Sequence, residues 1–136
     1  MRAAKEGLPI VLRVNGMEHA LDDIDELRQK LHKVQQADFA DVWLERRNVV
    51  MSMLTNRDRN RAFQMYLTAD NPAGFHAISD SETDRDEEIK FLLDNGQADE
   101  FEFSDTIVLA DAIRALEYFF LHGGKAPFIL WRDDSP

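Results

Sequence analysis

A chain of 136 residues with a formal net charge of −10 and no cysteine is long enough for one domain with a real core. It has no means of building a disulfide framework, a thiolate zinc site or a cysteine nucleophile. A hydrophobic share of 44% excludes wholesale disorder, and no apolar run approaches the roughly 18–20 residues that span a bilayer.

The first segment, MRAAKEGLPIVLRV, lacks the long apolar run and small-residue cleavage pattern of a signal peptide, so the expected location is the cytoplasm. Within it, residues 8–14 (LPIVLRV) read as a strand, rich in β-branched and aliphatic residues, and Asn15-Gly16 punctuates the chain. From Leu21 to Gln36 the pattern turns helical. Ile24, Leu27, Leu31 and Val34 recur at three- and four-residue spacing, Asp22 or Asp23 caps the start, and Glu26 follows Asp23 at capping-box distance. Acids at the front and Lys30 and Lys33 at the back complement the helix dipole.

Three β-prone runs follow: Val42 to Leu44, Val49 to Leu54 and Ala62 to Thr68. Arg46-Arg47-Asn48 and Asn56 to Asn60 are the turns between them. Gly74 to Ile78 is a further short strand. Residues 79–86 (SDSETDRD) are polar and read as a mobile loop.

The next segment has a register that can be derived. Ile89, Phe91, Leu93, Phe101 and Phe103 are all odd-numbered. A two-residue Asn95-Gly96 turn would set Phe91 opposite Glu100 and mix apolar with charged residues on both faces. A three-residue loop, Asp94-Asn95-Gly96, instead pairs Leu93 with Gln97, Phe91 with Asp99, Ile89 with Phe101 and Lys90 with Glu100. Gly96 then takes the left-handed position, the phenylalanines share one face, and Glu88, Glu100 and Glu102 point outward. Residues 109–121 form a second helix with a broad apolar face, stopped by Gly123. Pro127 opens a last strand, Phe128 to Arg132. The fold class expected is α+β: a mostly antiparallel sheet with two main helices packed on one side, a single domain over residues 1–136.

Charge is segregated along this order. Residues 80–105 hold eleven carboxylates and two cations, Arg85 and Lys90, a segment charge of −9. Such a field repels nucleic acid and anionic membrane and attracts basic surfaces. Arg46, Arg47, Arg57, Arg59 and Arg61 gather near two turns, but Glu45 and Asp58 interleave them and the overall charge opposes a nucleic-acid site. His19, His32, His76 and His122 match no ligand spacing and read as surface or cap residues. EF-hand spacing is absent around Asp94, and no P-loop, G-x-S-x-G or dinucleotide motif is present. Paired carboxylates need burial to do acid–base work, and these lie in turns or on an outward face. The expectation is a protein that is not an enzyme, with no cofactor and no metal.

The run T-I-V-L-A-D-A-I-R-A-L-E-Y-F-F-L-H-G-G-K-A-P-F-I-L-W-R-D-D joins a small-and-large apolar helix to an aromatic pair, a Gly, a Pro and a strand ending in Trp. Together with the preceding F-L-L-D-N-G and F-E-F, it resembles the first-numbered immunity-protein family of bacterial polymorphic toxin systems. The residues carrying the resemblance are Ala112, Ala115, Phe119, Phe120, Gly123, Pro127, Ile129 and Trp131. It covers residues 88–134 well and the first half only as an order of elements. Arg132 stands before Asp133-Asp134 where that family often has an acid, so no role carries over to the terminal acids.

The resemblance implies a protein that binds and neutralises a cognate toxin, often one acting on nucleic acid such as a deaminase or nuclease. The expected contact residues are Glu82, Asp84, Asp86 and Glu87 in the loop, with Glu88, Glu100 and Glu102 on the adjoining strands. Phe128 or Trp131 is a candidate apolar anchor, with core packing favoured for Trp131. The partner expected is a toxin domain with a basic surface, with neither nucleic acid nor membrane as a partner. Two other readings stand beside it: a small-molecule-binding or regulatory domain whose sheet and final helix enclose a pocket, and an adaptor whose acids serve solubility.

Overall fold

A computed structural model describes residues 10–79 and 87–136. Among the described residues, ten strands and two α-helices follow one another as β1 (Ile10–Val14), β2 (Met17–Leu21), α1 (Ile24–Gln36), β3 (Phe39–Arg46), β4 (Val49–Asn56), β5 (Arg61–Leu67), β6 (Phe75–Ile78), β7 (Glu88–Leu92), β8 (Ala98–Glu102), β9 (Ile107–Val108), α2 (Leu109–His122) and β10 (Leu130–Asp133). A 3₁₀ turn, Phe103–Asp105, links β8 to β9. The large sheet runs β10-β6-β5-β4-β3-β1-β2, with β9 also on β5, while β7 and β8 form a separate two-stranded sheet. Every strand pair is antiparallel.

Asn15-Gly16 is more than punctuation. Both residues have positive φ, 49° and 85°, the geometry of a two-residue hairpin turn whose twist matches the flanking strands. It folds β2 back on β1, so the helix expected from Leu21 begins at Ile24. Asp23 caps α1 through its Oδ1, which accepts from the Glu26 N–H at 2.9 Å, and Glu26 Oε1 accepts from the Asp22 N–H at 2.8 Å. The N-terminus of α2 has no side-chain cap; the Leu109 N–H donates instead to the Asn60 carbonyl at 3.2 Å. Gly123 stops α2 at φ 81°, its N–H donating to the Phe119 carbonyl at 2.8 Å. The last strand starts at Leu130, two residues later than Phe128.

Cross-strand register places both helices on one face. Leu44 pairs with Met51 and Val42 with Met53. Met51 pairs with Tyr66 and Met53 with Gln64, so these side chains point the same way. Tyr66 meets Phe119 of α2 edge-on at 6.0 Å, and Gln64 Nε2 donates to the Ala112 carbonyl at 2.8 Å. Leu27, Leu31 and Val34 of α1 join the same core as Leu116 and Phe119, and Arg28 pairs with Glu117 between the helices at 3.4 Å. The alternate residues of the strands face the other way, and part of that second face is covered by the β7–β8 hairpin. No helix among the described residues is long and apolar enough to cross a membrane.

Candidate docking surface

The hairpin has the derived register: Ile89 faces Phe101, Lys90 faces Glu100, Phe91 faces Asp99. The Leu93 N–H donates to the Gln97 carbonyl at 2.9 Å across a three-residue loop, and Gly96 sits at φ 88°. Its apolar face is buried, with Ile89 and Phe91 fully enclosed. Phe101 stacks on Phe63 of β5, centroids 3.8 Å apart and nearly parallel, and Phe91 leans on Phe101 at 6.0 Å. A two-stranded ribbon alone is marginal in water, so this contact is what holds it flat.

Polar anchors fasten the ribbon along its length. At the tip, the buried Asp41 accepts from the Asp94 N–H at 3.0 Å and from Trp43 Nε1 at 2.9 Å. At mid-length, Asn56 Nδ2 donates to the Lys90 carbonyl at 2.8 Å. At the base, Arg59 pairs with Glu87, and the Phe103 N–H donates to the Glu87 carbonyl at 3.0 Å. Beside it, Arg61 is buried and donates to Thr106 and Ser79, with its guanidinium 3.9 Å over the Phe103 ring.

The outward face carries Glu88, Lys90, Glu100 and Glu102, all exposed. Glu88 stands directly opposite Glu102, a like-charge pair that costs local stability. Of the loop acids expected to share this surface, Glu82, Asp84 and Asp86 lie outside the described residues. Glu87 is half-buried and engaged by Arg59. The structure therefore brings Glu88, Glu100 and Glu102 together and turns Glu87 toward the sheet.

Of the five arginines near the turns, Arg46, Arg57, Arg59 and Arg61 have structural partners. Arg46 Nη1 donates to the Phe119 and Phe120 carbonyls at 3.3 and 3.1 Å, closing the C-terminus of α2. Arg57 does the same for α1 through the Gln36 carbonyl, and also pairs with Asp38. Most of the residues that carried the resemblance expected from the sequence pack within the fold. Ala112, Ala115, Phe119 and Phe120 are buried on α2. Trp131 is half-buried with its Nε1 donating to the Ala126 carbonyl at 3.0 Å, Ile129 packs on the core, and Pro127 and Phe128 are exposed.

His76 corrects the reading of the histidines as surface or cap residues. It is buried, and its two ring nitrogens meet Asp134 at 2.8 Å and Asp105 at 2.9 Å. Asp105 also receives Arg132 at 3.5 Å. These groups tie β10 and the C-terminal residues to the 3₁₀ turn. Both nitrogens meet carboxylates, which fixes the orientation of the ring. Asp133 next door is held below the ordinary carboxylate range, first by the Ser135 backbone N–H, then by the Ser135 hydroxyl and Asn71. Among the described residues no group of three or more His, Asp or Glu is placed to hold a metal ion.

The space between sheet and α2 is filled by Leu116, Phe119 and Ala112, none of them exposed. A cleft of about 300 Å³ lies elsewhere, between the β1–β2 turn and α1. No family model matches the chain, and no curated protein is significantly similar to it.

Proposed function

We propose that the protein is a non-enzymatic inhibitor of the immunity type. In this reading it works in the cytoplasm, where it binds and neutralises a toxin that acts on nucleic acid, such as a deaminase or nuclease. The observation that carries the proposal is the β7–β8 ribbon: a rigidly backed strand pair whose free face sets Glu88 against Glu102 beside Glu100. Local stability disfavours that arrangement, and residues that break a local rule tend to be functional. An enzyme that handles nucleic acid needs a basic groove. A fixed acidic face complements such a groove and speeds encounter by roughly 10–1,000-fold. The resemblance of residues 88–134 to an immunity module supports the same reading.

Co-expression tests it. A toxin domain encoded beside this gene should stop growth alone and be tolerated with the wild-type protein. The E88Q/E100Q/E102Q variant, folded by circular dichroism, should protect less. Full protection by that variant would remove the hairpin face from the mechanism. Absence of protection against every neighbouring toxin candidate would remove the immunity reading itself.

A further inference from the structure

The cleft beside α1 has a composition that the inhibitor reading does not use. Val34 and Ala40, both buried, form its inner wall. Met17, at 67% exposure the most exposed large apolar side chain among the described residues, stands over it. α1 follows β2 and precedes β3, and the cleft lies between it and the β1–β2 turn. A side chain as apolar as Met17 gains nothing from facing water, and a thioether on a flexible stem is suited to closing over a guest.

The rim is basic. Lys30 and Lys33 reach it from α1 and His19 from β2, and no described carboxylate lines it. In a chain of net charge −10 this is a local inversion. Arg13, Arg28, Arg57, Arg59, Arg114 and Arg132 each meet a carboxylate. Lys30 and Lys33 have no such partner among the described residues. A lysine can lay its stem on apolar surface and keep its ammonium group in water. A volume of about 300 Å³ is at the lower end of small-molecule sites, roughly 300–1,000 Å³.

We infer that this cleft binds a small amphiphilic anion, an apolar chain or ring ending in one carboxylate. The apolar part lies against Val34 and Ala40 under Met17, and the carboxylate meets Lys30 and Lys33 with His19 alongside. The site lies on the helix-bearing side of the sheet, opposite the side covered by the β7–β8 ribbon, so the inference stands apart from the toxin reading.

Octanoate and octylammonium, equal in chain length and opposite in charge, are the probes, followed by calorimetry and by amide chemical shifts of the full chain. Octanoate should saturate with shifts centred on Val34, Ala37 and Ala40, and octylammonium should bind roughly tenfold or more weakly. The K30E/K33E variant should reverse that preference, and Ala37→Leu should weaken both by filling the cleft. Non-saturating octanoate shifts, equal affinity for the two probes, or an unchanged preference in K30E/K33E would overturn the inference. So would shifts centred on Glu18 to Ala20 that only an extended acidic peptide produces, since these would make the edge of β2 a strand-docking site.

Discussion

Replacing Phe91 by alanine tests whether the β7–β8 ribbon is a platform or a flap. Phe91 is fully buried between the ribbon and the sheet. A phenylalanine ring of roughly 200 Å² at about 25 cal/mol per Å² gives an upper figure near 5 kcal/mol. Partial collapse of the cavity brings the expected cost to about 3–4 kcal/mol. The loss is not spread evenly. Phe101 keeps its stack on Phe63, but the ribbon loses its fully buried ring. A two-stranded sheet has little stability of its own, so β7 and β8 should open before the large sheet does. Native-state hydrogen exchange reads this directly. In F91A the slow-exchanging amides of Glu88–Leu92 and Ala98–Glu102 should lose protection beyond the global loss, whereas β3 and β4 should follow global unfolding alone. If ribbon and sheet amides lose protection equally, the ribbon is not an independently docked layer and the argument from its buried face fails.

Three further outcomes follow from single groups. Thr55 Oγ1 is buried with no hydrogen-bond partner among the described residues, so the shape-matched Thr55→Val should raise stability by about 1 kcal/mol and the melting temperature by roughly 3–5 °C; a loss of stability in a thermal scan would show that the hydroxyl is satisfied. His76→Ala should cost about 2–3 kcal/mol in urea unfolding, because it removes the ring that Asp105 and Asp134 share; a near-zero change would deny the clasp any role in stability. Asp133 should titrate by NMR below its ordinary value of 3.8. Its contribution to stability is present above the unfolded-state value and fades as pH falls through the folded one, and Ser135→Ala, removing only the hydroxyl, should raise the midpoint.

What the sequence disclosed and what it hid divide along the range of the forces. The hairpin register was legible because strand periodicity is strictly two, and only one loop length collects Ile89, Phe91 and Phe101 on a face. The α1 cap was legible because Asp23 and Glu26 act within one turn. β2 was missed although Asn15-Gly16 is a strong hairpin signal: MEHAL places Met17, Glu18 and Ala20 in solvent, so the edge strand lacks a clean alternation. The placement of the ribbon on the face opposite the helices depends on Asp41, Asn56 and Phe63, which lie 34 to 53 residues from their partners. The His76 clasp reaches 29 and 58 residues along the chain, and no local pattern marks it. Of the proposed contact set, Glu88, Glu100 and Glu102 followed from alternation, while the turning of Glu87 toward Arg59 required the fold.

The acidic docking face is tested most directly by the association rate with a neutralised toxin domain across a salt series. Between about 0.1 M and 1 M salt the Debye length falls from about 10 Å to about 3 Å. A docking face built on Glu88, Glu100 and Glu102 predicts a rate that drops by roughly tenfold or more over that range, and an E88Q/E100Q/E102Q variant whose rate is already low and nearly flat. A wild-type rate indifferent to salt, or a variant that matches it at every salt concentration, would contradict it.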